Sequence, residues 1–249
     1  MTPQTNATTA EAPEGGTLYS CAPILEAALR ITMAESIPAA AVGSMHSALA
    51  ESYPTKQQIF EPSTDEASDS RGGSSKLVGY SFVTDDGKRY LAARVDGITF
   101  SQLGPYDRWA TFSAEGKRAW EAYRLVNISQ VDSISLRYIN RIEIPLPISD
   151  LRQYLRTLPQ IAPELPHTIK SFLMRLELPT DHGINIVVMQ GTVKTANPEM
   201  AALMLDIEVS TEAANLPDSE MWSRFEALRI QKNDVFEHCI TDDLRSLIR

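Results

Sequence analysis

The stretch DSISLRYINRIEIPLP, residues 132–147, decides the fold that this sequence predicts. Its apolar side chains alternate, and successive side chains of a strand point to opposite faces. Asn140 interrupts one face at its middle, and the other members of that face are apolar: Ile134, Leu136, Tyr138, Ile142 and Ile144. Two prolines close the stretch, because proline cannot donate a hydrogen bond to a sheet. The pattern predicts a strand at the centre of a sheet.

The opposite face of the same strand is mostly polar. It carries Ser135, Arg137, Ile139, Arg141 and Glu143. A later predicted strand, residues 202–210, places Asp206 and Glu208 two positions apart, so that their side chains share a face. Three interpretations of these carboxylates stay open: solvated side chains, ion pairs with the two arginines, or an acid–base pair with a shifted pKa.

The elements on either side of residue 128 follow one order: strand, short helix, antiparallel strands and long helix. Residues 18–128 give this order first, with strands predicted at 22–33, 77–83 and 89–100 and helices at 44–53 and 106–127. Residues 129–249 repeat it, with later strands at 171–178, 184–194 and 202–210 and a closing helix from 219 into the 230s. The order predicts an α+β protein of two similar halves, with a large, mostly antiparallel sheet and helices on one face.

Two segments lack the apolar residues that an ordered element would bury. Residues 1–17 are rich in Thr, Ala, Pro, Glu and Gly, which predicts a disordered tail. Residues 54–76 are dominated by polar residues, Pro and Gly, which predicts a flexible loop. A loop of that length inside a domain is uncommon, so an ordered functional loop remains the alternative.

Composition excludes several classes of function. The net charge is −9, and nucleic-acid binding depends on clustered Lys and Arg, so general nucleic-acid binding is not expected. No apolar stretch approaches the roughly 20 residues that cross a bilayer, so no membrane association is expected. The first residues lack the features of a secretory signal, which predicts a cytoplasmic protein.

The sequence also lacks the usual catalytic patterns. It contains neither a Gly-x-Ser-x-Gly elbow nor a phosphate-binding glycine loop. Cys21 and Cys239 fit no metal or redox spacing, and the four histidines are scattered. His238 and Cys239 are adjacent, and adjacent residues of a helix do not face each other. We therefore predict no catalytic residue, no metal site and no cofactor.

The RYIN sequence at residues 137–140 resembles a motif of a sporadically distributed, functionally uncharacterised prokaryotic protein family of about this length. Further pieces of the resemblance are APILEA at 22–27, YDRW at 106–109, LDIE at 205–208, FE at 236–237 and ITD at 240–242. The resemblance covers most of the chain from residue 22 onward. It implies an accessory protein, such as those encoded in defence or toxin-control operons, and brings no established activity with it.

Two classes of function follow from these observations. The first is a non-catalytic protein-binding or regulatory protein, which uses the polar sheet face to bind another protein or a second copy of itself. The alternative is a small-ligand-binding protein or enzyme with a cleft between its halves. The candidate binding residues are Arg137, Asn140, Arg141, Asp206 and Glu208. Arg137 and Arg141 are the expected principal contacts, because a guanidinium binds carboxylates through two hydrogen bonds.

Overall fold

The computed structural model describes residues 19–62, 75–166, 169–214 and 216–249. Within these ranges nine strands form one antiparallel sheet: β1 (Ile24–Met33), β2 (Thr55–Pro62), β3 (Ser75–Val83), β4 (Arg89–Arg94), β5 (Gly97–Leu103), β6 (Val131–Pro145), β7 (Leu173–Pro179), β8 (Ile184–Val193) and β9 (Met200–Glu212). Their order across the sheet is β2-β3-β4-β5-β1-β6-β9-β8-β7. The predicted α+β class and antiparallel sheet are confirmed.

Strands β1 and β6 pair at the middle of this order, so the central position predicted for residues 132–147 is confirmed. Their register places Leu29 opposite Leu136 and Ile31 opposite Ile134, and all four side chains are buried. The alternation read from the sequence therefore places one face of β6 in the core. Tyr138 belongs to that face and is 2% exposed.

The helices are α1 (Ala39–Ser44), α2 (His46–Leu49), α3 (Trp109–Arg124), α4 (Asp218–Cys239) and α5 (Asp242–Leu247). The two long helices, α3 and α4, both pack on the sheet face that carries Leu136 and Tyr138, which we call the helix face. Phe112 of α3 lies 6.3 Å from the Tyr138 ring, and Lys232 of α4 lies 3.8 Å from the same ring. The opposite face, which carries Arg137, Ile139 and Arg141, is called the open face.

The prediction of a flexible loop at residues 54–76 is partly wrong. Thr55–Pro62 form β2, an edge strand that pairs with β3. Most of its side chains are exposed, so the strand shows no alternation of apolar and polar residues, and backbone hydrogen bonds hold it to the sheet. Residues 63–74 of this prediction, and the predicted tail at 1–17, lie outside the described residues.

Two other boundaries in the first half also differ from the prediction. The strand predicted at 89–100 is two strands, because the chain turns after Arg94 and β5 begins at Gly97. Gly97 has a φ of 151°, and a Cβ placed there would lie 2.2 Å from the Ile31 carbonyl oxygen. The helix predicted at 44–53 is the short α2 (His46–Leu49), and a separate helix, α1, precedes it and begins at Ala39, after Pro38.

Candidate functional site

A cavity of about 520 Å³ opens on the helix face. Four parts of the chain line it: residues 19–24, the segment 105–109 that leads into α3, residues 229–237 of α4, and two side chains of β6. The first two segments come from the first half of the chain and the other two from the second half. The volume lies within the range of about 300–1,000 Å³ that is usual for small-molecule sites.

The cavity has a buried wall and an exposed rim. The wall residues are Tyr138, Asn140, Arg229 and Lys232, with exposed fractions of 2%, 3%, 8% and 8%. The rim includes exposed charged and polar residues: Ser20, Asp107, Arg108 and Asp234. A ligand that entered from the rim would therefore meet two basic side chains, one phenol and one amide at the wall.

Tyr138 reaches this wall because it belongs to the core face of β6. Its hydroxyl oxygen lies 2.8 Å from that of Tyr106, and the two rings meet edge to face at 5.4 Å. Burial raises the pKa of Tyr138 well above its ordinary value, and the nearby Tyr106 adds to this shift. The Tyr138 phenol therefore keeps its proton at neutral pH and serves the cavity as a neutral hydrogen-bonding group.

Lys232 is the most unusual member of the wall. It lies on the buried stripe of α4, four residues after Leu228 and four before Phe236. Its ammonium nitrogen lies 3.8 Å from the centroid of the Tyr138 ring, a cation–π contact. Within the described ranges, no carboxylate forms an ion pair with it. Burial, with a smaller contribution from the neighbouring Arg229, lowers the pKa of Lys232 to about 7.

Arg229 lies one helical turn before Lys232, so the two side chains share a face of α4. Its guanidinium donates to a Glu226 carboxylate oxygen, with the Nε at 2.9 Å and an Nη at 2.5 Å. It also lies 6.0 Å from the centroid of the Trp109 ring. Arg229 is thus an oriented, permanent cation, in contrast to Lys232, whose charge depends on pH.

One carboxylate of α4 that lines the cavity, Glu237, is bound by side chains other than Lys232. Glu237 accepts a hydrogen bond of 2.7 Å from the Tyr19 hydroxyl and forms an ion pair of 2.8 Å with Arg245. Its charge is therefore matched by a cation outside the cavity. Because no carboxylate among the described residues forms an ion pair with Lys232, the buried wall is suited to an anion.

Of the residues predicted from sequence, Asn140 belongs to the cavity. Its amide nitrogen donates to the Leu205 carbonyl oxygen at 3.0 Å, which fixes the orientation of the side chain. The polar side chain that interrupts the apolar face of β6 thus has a hydrogen-bond partner on the neighbouring strand, β9. Its position at the wall makes it available to orient a ligand.

The other predicted residues lie on the open face. The Arg137 guanidinium donates two hydrogen bonds to Asp206, with nitrogen–oxygen distances of 2.9 and 2.6 Å, and Asp206 is 4% exposed. Glu208 stands opposite Arg137 in the pairing of β6 with β9. Arg141 forms an ion pair of 3.1 Å with Glu143. The structure therefore does not bring these groups together with the cavity, since alternate residues of a strand point to opposite faces.

For Asp206, the contact with Arg137 supports one of the three interpretations of the carboxylates, the ion pair. Asp206 is held in an ion pair, and this pairing raises the pKa of Arg137 above its usual value. A paired, buried carboxylate with two guanidinium hydrogen bonds has a structural explanation. Asp206 thus needs no catalytic role.

The two basic residues of the wall, Arg229 and Lys232, were not among the residues predicted from the sequence. A signal for Lys232 does exist, because it interrupts an apolar series spaced by three and four residues: Met221, Phe225, Leu228, Phe236 and Cys239. A lysine in the middle of such a stripe is either buried or reaches past the sheet to solvent. Sequence does not distinguish these cases, since the answer depends on Tyr138 in a different element.

In the part of the chain that the structure describes, no group of three or more His, Cys, Asp or Glu residues is arranged to hold a metal ion. No helix in the same ranges is both long enough and apolar enough to cross a membrane. No protein-family model matches this chain, and a comparison with curated proteins finds no match. Membership in the family that residues 137–140 resemble therefore stays a prediction.

Proposed function

We propose that the protein binds a small organic anion in the cavity between its two halves. The observation that carries this proposal is Lys232, a buried amine that lines the cavity without an ion-pair partner among the described residues. A buried ammonium without a counter-charge lowers stability, often by several kcal/mol. An anionic ligand would supply the counter-charge that the protonated fraction of the amine lacks.

The remaining walls indicate what the rest of the ligand is like. Five aromatic side chains line the cavity, so the ligand has an apolar or planar part beside its carboxylate or phosphate: Tyr19, Tyr106, Trp109, Tyr138 and Phe236. Arg229, held over the Trp109 ring, offers a second cationic contact. The Tyr138 phenol and the Asn140 amide supply the polar groups that fix a ligand's orientation in such sites.

The proposal predicts that Lys232→Met loses the ligand. Purified protein is mixed with a small-molecule extract of its host cells at pH 6.5, desalted and denatured, and the released compounds are identified by mass spectrometry. At least one anionic compound is expected to be enriched about tenfold or more on the wild type over the variant. Loss of one buried charge-assisted contact of about 1.4 kcal/mol or more accounts for that factor.

The matched control is Lys117→Met, which removes an exposed lysine from α3 and leaves the cavity unchanged. It is expected to retain the same compounds as the wild type. An extract from which no anionic compound is enriched on the wild type over Lys232→Met would contradict the proposal. Circular dichroism of the three proteins shows that each is folded before the comparison is made.

A second candidate function is supported by the open face. We propose that this face binds another protein or a second copy of the chain, as expected for a regulatory accessory protein of a prokaryotic cytoplasm. Within the described ranges the two long helices pack on the other face. Both signs of charge lie along β6, with Arg141 beside Glu143, and such a mixed patch is self-complementary about a twofold axis.

Arg137→Ala and Arg141→Ala are expected to act differently. Removal of Arg137 leaves the buried Asp206 carboxylate without its partner, at a cost of about 2–3 kcal/mol, below the usual 3–5 kcal/mol because Arg137 is partly exposed. Removal of Arg141 from its exposed pair is expected to change stability by less than about 0.5 kcal/mol. Urea denaturation measures both effects.

The same two variants test the open face as an interface. If a second copy binds there, Arg141→Ala is expected to raise the dimer dissociation constant about tenfold or more, since a desolvated Arg contact is worth about 2 kcal/mol. Sedimentation velocity over a range of concentrations measures this constant. A dimer that Arg141→Ala leaves unchanged would place self-association on a different surface.

We also propose that the two halves arose by duplication. The support is the strand order on each side of the central pair. In each half the first strand pairs with the last, β1 with β5 and β6 with β9, and the earlier strands lie progressively further out. In each half, too, the strand beside the central pair is followed in sequence by the long helix, α3 or α4.

A further inference from the structure

Lys232 has the surroundings of a reactive amine. Lysine side chains that serve only as charges are placed at solvent or beside carboxylates. Lys232 is 8% exposed, and its nitrogen rests on the Tyr138 ring. Arg229 lies one turn earlier on α4, and its positive charge disfavours a positive charge on Lys232. Burial and the neighbouring charge of Arg229 both favour the neutral amine, which is the nucleophilic form.

We propose that the Lys232 amine forms a reversible imine with an aldehyde or ketone group of the ligand, which is therefore an anionic carbonyl compound such as a 2-oxo acid. This inference rests on the proposed function, because it names the chemical class of the ligand for the same cavity. Geometry supports it: the Lys232 amine lines a cavity of about 520 Å³, large enough for a metabolite, and Arg229, which pairs with Glu226, lines the same wall.

The reaction needs no group that the cavity lacks. The lone pair of the Lys232 Nζ forms a bond to the carbonyl carbon, and the C–O π electrons move to the oxygen. A proton passes from the nitrogen to that oxygen, which gives a carbinolamine. Loss of the hydroxyl group with one proton, as water, then leaves the C=N bond. The Tyr138 ring lies against the amine, and its hydroxyl oxygen lies 2.8 Å from that of Tyr106.

The charge state of the amine at neutral pH fits this chemistry. With a pKa of about 7, about half of the Lys232 side chains are neutral at pH 7. An ordinary lysine amine, with a pKa of about 10.4, is only roughly 0.04% neutral at that pH. The lower basicity of Lys232 makes each neutral amine less nucleophilic, and the cavity restricts access. The excess of the neutral form still gives it a clear advantage over exposed lysines.

The test uses the wild-type protein with glyoxylate, the smallest compound that carries both an aldehyde and a carboxylate. Sodium cyanoborohydride in the same solution reduces any imine to a carboxymethyl-lysine, which peptide mass spectrometry locates and quantifies. At pH 7 the rate at Lys232 is expected to exceed that at Lys117, exposed on α3, by about tenfold or more. At pH 9.5 the ratio is expected to fall, because exposed amines then lose their protons.

Glycolate separates this inference from the proposed function, because it has the carboxylate of glyoxylate but no carbonyl group. It is expected to slow labelling of Lys232 and to leave labelling of Lys117 unchanged. Equal or slower labelling of Lys232 than of Lys117 at pH 7 would overturn the imine. Glycolate that leaves labelling of Lys232 unchanged would count instead against the anion site itself, so the failure of the imine and the failure of the proposed function are distinguishable.

Discussion

Lys232→Met is expected to make the protein more stable at pH 6 and to lose most of that advantage at higher pH. The pKa of Lys232 in the folded protein is about 7, below the ordinary value of 10.5. Such a shift corresponds to a penalty on the order of 4–5 kcal/mol for burying the ammonium. Methionine has a similar length and no charge, so at pH 6 we expect a gain of several kcal/mol in the free energy of unfolding.

The pH dependence has a definite sign. Between pH 7 and pH 10.5 the unfolded chain holds a proton on Lys232 that the folded protein has lost, so the free energy of unfolding of the wild type rises with pH. Between pH 6 and pH 8.5 this contribution amounts to about 2 kcal/mol. The difference between wild type and variant is therefore expected to narrow by that amount.

Urea denaturation of both proteins at pH 6 and pH 8.5 measures this difference directly. Above pH 9 a second group affects the measurement, because burial raises the pKa of the Cys239 thiol from 9.0 to about 11. The unfolded chain then loses a proton that the folded protein keeps, so this group lowers the free energy of unfolding as the pH rises. Charged groups near Lys232, including Glu226, Glu237 and Asp234, are present in both proteins. A difference that stays constant from pH 6 to pH 8.5 would show that Lys232 titrates as an ordinary lysine.

Tyr138→Ala is expected to lower the free energy of unfolding by about 3–5 kcal/mol. The ring is 2% exposed and packs against the rings of Tyr106 and Phe112 on one side and the Lys232 ammonium on the other. Its removal would open a void that joins the cavity. The measurement is the urea denaturation midpoint at a fixed pH of 7.5.

Tyr138→Phe provides the matched control, because it removes the hydroxyl group and keeps the ring. It breaks the 2.8 Å hydrogen bond to Tyr106, at an expected cost of about 1 kcal/mol. The two variants thus separate the contribution of ring packing from that of the hydrogen bond. An alanine variant no less stable than the phenylalanine variant would mean that the ring does not pack in the core.

The central strand could be predicted from sequence because its physics is local. Residues 132–147 alternate with a period of two, and an alternating stretch of that length has few other ways to bury its apolar face. Gly97 shows where local reasoning failed. The strand pattern continues through it, but the chain must turn there, and the close approach of the Ile31 carbonyl oxygen is visible only in three dimensions. Strand β2 was not predicted for a different reason: an exposed edge strand has no apolar face, so its sequence shows no alternating pattern.

The candidate site was only partly accessible to sequence reasoning. Asn140 stood out because a polar residue in an apolar face requires a partner, and it does lie at the cavity wall. Arg137 and Asp206 stood out for their charge and prove to be each other's partners. Lys232 was overlooked, although it interrupts an apolar stripe as Asn140 does. Its meaning depends on its burial and on the lack of an ion-pair partner among the described residues, and both are properties of tertiary packing.

The pairing of β1 with β6 imposes an order on folding during synthesis. Strand β1 pairs with β5 once the first half has emerged from the ribosome, yet its other edge stays bare until β6 follows. The other edge of β6 stays unpaired until β9 has been synthesised. Unpaired edges of long apolar strands are sites of incorrect strand pairing. Lys232 follows β9, so its helix docks on Tyr138 near the end of this sequence. If strands pair in the order in which they are synthesised, the sheet is complete before α4 covers Lys232.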